Sequence, residues 1–259
     1  MTTYLDRILE QHRLVAGEDD RPVEVLVSAA LSMPPTRGFR RALASADGLG
    51  VISEIKRRSP SKGALNSDLD PVSLAQAYES GGATCLSVLT DVDFFGGSVS
   101  DLWQARQSCA LPVIRKDFTV SLQDVCDTRI MGADCVLLIA AALDERELVE
   151  FHRLAVEIGL DVLVEIHDET ELERALAAGA TLIGVNQRDL VTFQVDHMRA
   201  ERMAALIPDH AVKVAESGVR DGVDARRLHA AGYHAVLVGE TLVTAHDPAQ
   251  VVRELRNSA

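Results

Sequence analysis

The chain has 259 residues, 47% hydrophobic and 25% charged, enough for one large α/β barrel or two ordinary domains. Its net charge of −13 comes with no basic stripe, which excludes a nucleic-acid surface and means that an anionic ligand must be met by locally gathered cations. No apolar run reaches membrane-spanning length, the first residues carry no secretory signal, and Cys85, Cys109, Cys126 and Cys135 lack disulfide or zinc spacing, so a cytoplasmic protein with free thiols and no metal is expected.

Residues 1–48 read as helices. Thr3 caps a first helix running to about Ala16, a second covers Val23–Ala30 and is broken by Pro34-Pro35, and Phe39–Ala46 is a short third. Nothing here alternates like a strand, so the segment is expected to be an extension packed on the rest of the chain.

From Gly50 the pattern changes and then repeats. Strand-like runs are Val51–Ile55, Ala83–Leu89, Pro112–Lys116, Cys135–Ile139, Val162–Ile166, Leu182–Val185, Val212–Ala215 and Ala235–Val238. Between and after them lie helix-periodic stretches: Val72–Ser80, Ser100–Ser108, Ser121–Met131, Glu145–Ile158, Glu169–Ala178, Met198–Ile207, Asp221–Ala231 and Pro248–Arg256. Several end in a glycine before the next run, as at Met131-Gly132 and Ile158-Gly159, the usual helix stop. Eight strands alternating with eight helices predict an α/β protein, a single (β/α)8 TIM barrel over 49–259 with the helical extension 1–48 before it. A doubly wound sheet usually has fewer strands.

In such a barrel the active site lies at the C-terminal strand ends. The first run ends Glu54-Ile55-Lys56, an acid and an amine two apart and therefore on one face. The third ends Arg115-Lys116-Asp117-Phe118, the fifth Glu165-Ile166-His167, the sixth Asn186-Gln187-Arg188, the seventh Glu216-Ser217-Gly218 and the eighth Gly239-Glu240. Polar residues merely leaving a core would explain one or two such ends, not this set. Lys56, Arg57, Arg58, Lys62, Arg115, Lys116 and Arg188 all fall near the rim, where an anionic ligand would find them, though not all can face inward. The segment Arg57–Gly63 is a loop by its Ser, Pro and Gly content and is expected to form a mobile basic flap. Ser217-Gly218 and Gly239-Glu240 occupy loops where barrels often bind phosphate through backbone N–H groups.

These motifs resemble the indole-3-glycerol-phosphate synthase family. The residues that carry the likeness are Ile52-Ser53-Glu54-Ile55-Lys56-Arg57-Arg58-Ser59-Pro60-Ser61-Lys62-Gly63, Ser87-Val88-Leu89-Thr90 with Phe95-Gly96-Gly97-Ser98, Arg115-Lys116-Asp117-Phe118, and Gly132-Ala133-Asp134 with Val136-Leu137-Leu138-Ile139. Val164-Glu165-Ile166-His167, Gly184-Val185-Asn186-Gln187-Arg188-Asp189-Leu190 and Val214-Ala215-Glu216-Ser217-Gly218 complete it. The likeness runs from Leu49 to the C-terminus and takes in the helices before it.

The resemblance implies a cofactor-free reaction on an anionic sugar phosphate, 1-(2-carboxyphenylamino)-1-deoxyribulose 5-phosphate. The pyrrole ring closes, CO2 leaves, then water leaves. By position in the family, Lys116 resembles a principal general acid and Glu165 its carboxylate counterpart. Lys56 resembles the second lysine, near the substrate carboxylate or the phosphate, and the resemblance leaves open which lysine serves which step. Glu54 and Glu216 resemble supporting carboxylates and Asn186 a positioning residue. Ser59, Arg188, Ser217, Gly218, Gly239 and Glu240 match ligand- or phosphate-contact positions, although a small residue such as serine is also common at 240. Phe95, Phe118, Leu137 and Leu237 match an apolar wall around the anthranilate ring; Leu137 and Leu237 read equally well as ordinary barrel lining. His167 is expected to be structural. A monomer, or at most a weak homodimer, is expected.

Two rivals fit less well. Phosphoribosylanthranilate isomerase, another phosphate-binding barrel, relies on a Cys/Asp pair, and the first run here ends without a cysteine. A non-catalytic barrel that binds sugar phosphate has no need of both lysines and three rim carboxylates.

Overall fold

The computed structural model describes residues 3–60, 62–189 and 191–258; Ser61 and Leu190, each inside one of the family-like motifs, lie outside the described residues. The strands are β1 (Gly50–Ile55), the short β2 (Arg58–Ser59) and β3 (Gly63–Ala64), then β4 (Cys85–Leu89), β5 (Val113–Lys116), β6 (Cys135–Ile139), β7 (Asp161–Ile166), β8 (Leu182–Asn186), β9 (Val212–Glu216) and β10 (Ala235–Val238). β1 and β4 to β10 close into a barrel in the order β1-β10-β9-β8-β7-β6-β5-β4, each pair parallel.

The strands close because their side chains alternate between two dry environments. Ile52, Cys85, Ile114, Leu137, Leu163, Leu182, Val214 and Leu237 fill the barrel interior. Their sequence neighbours Val51, Leu86, Val113, Val136, Val164, Ile183, Ala215 and Val236 point outward into a second apolar layer under the helices. Those helices are α4 (Pro71–Gly81), α5 (Val99–Ser108), α6 (Leu122–Ile130), α7 (Glu145–Glu157), α8 (Glu169–Ala177), α9 (Arg199–Ala204), α10 (Gly222–Ala230), the short α11 (Glu240–Val243) and α12 (Pro248–Asn257). Side-chain caps start most of them, such as Asp70 on Ser73 N and Ser121 on Asp124 N. Gly159 and Gly232, with φ of 83° and 93°, follow α7 and α10 in the left-handed conformation that ends a helix without Cβ strain.

Two elements differ from the sequence expectation. The first half of the Arg57–Gly63 loop pairs back on itself, Arg58 with Ala64 and Ser59 with Gly63, so a ribbon replaces plain loop. The predicted helix Met198–Ile207 is shorter, Arg199–Ala204: Met198 is its N-cap, and Leu206 N turns back to Met203 O ahead of Pro208.

The first helices are α1 (Tyr4–Gly17), α2 (Val23–Leu31) and α3 (Phe39–Ala44). Thr3 caps α1 in a capping box, its hydroxyl accepting from Asp6 N at 3.0 Å while Asp6 accepts from Thr3 N at 2.7 Å. α2 packs on α6. α3 sits at the bottom of the barrel, where Phe39 and Leu43 join the interior cluster. Two aspartates fix it there. Asp161 accepts from Arg40 N at 2.9 Å. Asp134, fully buried, accepts from Arg37 N at 2.7 Å and Val113 N at 2.8 Å and pairs with Arg106. Asp134→Ala would orphan all three donors. We expect a loss of about 3–5 kcal/mol, the cost of breaking a buried ion pair from one side. Urea unfolding checks it, and a loss under about 1 kcal/mol, the scale of an exposed pair, would contradict it.

Candidate active site

The same alternation that fills the barrel carries its polar rim. Ile52 faces inward, so Glu54 does too, and Lys56 follows on the same side. By this rule Ile114 leads to Lys116, Leu163 to Glu165, Val214 to Glu216 and Leu237 to Gly239. These side chains open into one cavity of about 390 Å³ at the C-terminal strand ends.

Lys116 lies at the centre of the charge. Its Nζ stands 3.0 Å from Glu165 Oε2 and 3.6 Å from Glu216 Oε2. Asn186 Nδ2 donates to the other Glu165 oxygen at 2.9 Å. Beside them Lys56 is hydrogen-bonded to Glu54, which also accepts from Ser87 Oγ at 3.4 Å. Glu54, Glu165 and Glu216 are all buried. Two glycines make room for them. A Cβ on Gly184 would collide with Glu216 Oε1, and one on Gly239 would collide with Glu54 Oε1 and stand 3.1 Å from Lys56 Nζ. Gly239, at a position that resembles a phosphate contact, therefore also leaves space for the Glu54–Lys56 pair.

Burial disfavours the Lys116 ammonium, but Glu165, Glu216 and Glu54 outweigh it and hold its pKa above the ordinary lysine value. Burial alone would raise the Glu165 carboxyl, yet Lys116, His167 and the Asn186 amide keep it below the usual range. Glu216 goes the other way. Burial and then the charges of Glu165 and Glu54 raise it, against the pull of Lys116. Its Oε1 has no hydrogen-bond partner among the described residues. Burial and charge therefore push the two carboxyls beside Lys116 in opposite directions, Glu165 down and Glu216 up.

This division has a stability consequence. Because the native Glu216 pKa is raised, its contribution is full below the ordinary value of 4.5 and is lost as pH rises through the native value. Glu216→Gln keeps the shape and removes the titration. Its thermal midpoint is expected to exceed the wild-type midpoint increasingly as pH rises above 4.5, by about 2–4 °C for each kcal/mol relieved. Melting curves that shift in parallel with pH would contradict this.

Two further surfaces complete the cavity. On the β4–β6 side, Phe95, Phe118 and Leu137 form an apolar wall, with the Phe95 and Phe118 rings 6.3 Å apart. On the β9–β10 side, Ser217 and Gly218 are consecutive left-handed residues with φ of 65° and 77°. Both residues line the cavity. A serine held there costs about 1–3 kcal/mol, a strain typical of functional turns. Gln187 Nε2, donating to Ser217 O at 2.8 Å, braces it. Ser59, Arg188, Leu237 and Glu240 also line the cavity.

Not every basic residue near the rim faces inward. Arg57 pairs with Asp101, Arg58 donates to the carbonyls of Val92 and Asp93, and Arg115 donates to Asp124 O, Thr128 and Asp117. Lys56, Lys62, Lys116 and Arg188 remain on the cavity, and Lys62 reaches Glu240 at 3.3 Å across its mouth. His167 binds Glu171 through Nδ1 at 3.1 Å, stands 3.8 Å from Glu165 Oε1 through Nε2 and lies outside the cavity lining. Sequence reasoning missed Asp91, Phe193, Val195, His197 and Arg220, which line the cavity from loops without a period to reveal them. It also missed Tyr4 and His12 on α1, whose one signal is the spacing of four through buried Ile8.

A family model, indole-3-glycerol phosphate synthase, matches residues 5–255. The chain belongs to this family. It is a carboxy-lyase of tryptophan biosynthesis that makes indole-3-glycerol phosphate. Solved structures share its barrel. Thiamine phosphate pyrophosphorylase from Pyrococcus furiosus aligns with a TM-score of 0.61 at 16% identity over 81% of this chain and 95% of that one. A structure described as native KDPGal gives 0.59 at 17% over 82% and 97%. A cube-shaped, highly porous cage designed by fusing symmetric oligomeric domains gives 0.58 at 16% over 81% and 73%. At these identities the likeness speaks to the fold alone. No helix among the described residues is long and apolar enough to cross a membrane.

Proposed function

We propose that Lys116 is the acid of ring closure in this cavity. The observation that carries the reading is its ammonium held between Glu165 and Glu216, with an apolar wall on one arc of the rim and the left-handed Ser217–Gly218 turn on the other. The anthranilate ring of 1-(2-carboxyphenylamino)-1-deoxyribulose 5-phosphate lies against Phe95, Phe118 and Leu137, with Leu237 below. Its phosphate rests on the N–H groups of Ser217, Gly218 and Gly239. Lys56, where the two arcs meet beside β1, serves whichever anionic end lies nearer.

The ring carbon bearing the carboxylate attacks the ketone. A new C–C bond forms, and the carbonyl oxygen takes the proton of Lys116. The raised pKa makes Lys116 a reluctant donor, so it first stabilises the growing negative charge by hydrogen bonding and yields its proton late. The C–C bond to the carboxylate then breaks, CO2 departs, and its electron pair restores the aromatic ring. Finally the hydroxyl leaves as water with a proton from an acid, while a base removes the proton that completes the pyrrole. Glu165, kept ionised, suits the base, and Lys56 or the reprotonated Lys116 suits the acid. Asn186 and Glu54 hold Glu165 and Lys56 in place, and Ser59, Arg188 and Glu240 bound the ligand.

Residues 1–48 act as an extension of one barrel domain, supported by the seat of α3 in the interior cluster. Buried free thiols at Cys85, Cys126 and Cys135 suit a reducing cytoplasm. Incubation with the carboxyphenylamino substrate should yield indole fluorescence and CO2 in equal amounts. A folded protein that forms neither would overturn the reading.

A further inference from the structure

The helix α1 reaches the aromatic wall through His12. Its Nε2 is 3.0 Å from Asp91 Oδ2 and 3.9 Å from Asp117 Oδ1. Its ring lies 5.4 Å from that of Phe118. Both aspartates are themselves wall supports. Asp91 Oδ1 accepts from Phe94 N at 2.6 Å and Phe95 N at 2.9 Å, and so sets the turn that presents Phe95. Asp117 Oδ1 accepts from Phe118 N at 2.9 Å, and its Oδ2 is held by Arg115 and Thr90. Tyr4, two turns earlier on α1, packs edge-on against Phe94 at 5.9 Å and against Phe193 at 5.5 Å. One helix thus grips three separate loops of the rim, and His12 is the polar centre of the grip.

We propose that His12 is a positioning residue for the reaction: from α1 it locks Asp91 and packs against Phe118, and so fixes the two rings that receive the substrate's aromatic ring. This rests on the assignment of Phe95 and Phe118 as the aromatic-ring wall. His12 touches the wall from behind and acts on substrate through it.

The grip is strongest when His12 is charged. Burial disfavours the imidazolium, but Asp91, Asp117 and Asp124 outweigh burial and raise its pKa above the ordinary 6.5. Arg115, on the far side of Asp117, is the opposing cation in the neighbourhood. A raised histidine gives its stabilisation in full below its ordinary value and loses it as pH rises through the native value.

The test is steady-state kinetics of the full-length protein across about pH 5 to 9, spanning histidine titration. His12→Ala should raise KM about fivefold or more, the factor for roughly one lost kcal/mol, with kcat changed by less. His12→Gln keeps a donor to Asp91 without the charge. Dividing its KM by the wild-type KM at each pH cancels ionisation of the substrate. That ratio should exceed one on the acid side and fall toward one as pH rises. An unmoved KM in His12→Ala, a loss confined to kcat, or a ratio independent of pH would overturn the proposal. Phe118→Leu separates the layers: a raised KM there with an unmoved KM in His12→Ala sinks the role of His12 alone. An unmoved KM in Phe118→Leu sinks the wall assignment and the role of His12 with it.

Discussion

Lys116→Ala should lower kcat by at least about 10²-fold, the low end for a lost general acid, and leave KM and the far-UV spectrum close to wild type. The side chain lines the cavity and is not one of the residues of the apolar core. Its removal does leave Glu165 without its cation in a buried site. A carboxyl there can take up a proton and relieve the charge, the direction in which burial already pushes Glu216. The neighbouring residue supplies the contrast. Arg115 faces outward and ties β5 to α6 and Asp117. Arg115→Ala should lower the thermal midpoint and spare kcat far better. Equal turnover in Lys116→Ala and wild type would show that the acid is misassigned.

Gly97→Ala should disturb the opposite side of the site without touching a charged group. A Cβ at 97 would collide with the Leu89 carbonyl oxygen and stand 3.1 Å from Thr90 N. Both belong to the end of β4, which is paired to β1 on one side and β5 on the other and has no freedom to retreat. The loop must move instead, and Gly97 N would lose its 2.8 Å bond to Asp91 O. Asp91 holds Phe95, so the wall moves with it. We expect a stability loss of about 1–3 kcal/mol, the usual cost of overpacking. KM should rise about tenfold, equivalent to about 1.4 kcal/mol of binding. Wild-type values for both would mean that the loop is loosely seated and Phe95 independent of it.

The barrel was legible because its code is periodic. Apolar runs with helices between them repeat eight times, several closed by a glycine stop, and a period of two then says which strand-end residues share the inner face. That rule picks Lys116 over Arg115 once the strand's phase is known. Without the phase, the residues alone could not say which rim cations face inward, and Arg57, Arg58 and Arg115 proved to serve Asp101, loop carbonyls and Asp117. The pairing of Arg58 with Ala64 also escaped notice, because two-residue strands carry no period. Gly184 and Gly239 show a different limit. Each is needed for a carboxylate that arrives from another strand, and such a long-range requirement leaves no local mark. His12 and Tyr4 were hidden for the same reason. Their partners, Asp91, Phe118, Phe94 and Phe193, lie far along the chain.

The most direct test of the acid at the centre of the rim is a crystal structure with the substrate whose ketone has been reduced to an alcohol. The alcohol oxygen should lie about 3 Å from Lys116 Nζ, within hydrogen-bond reach, with the phosphate on the Ser217–Gly218 turn and the aromatic ring against Phe95 and Phe118. A ligand bound in the reverse sense, with its phosphate at Lys116 and its alcohol oxygen out of reach, would contradict the account.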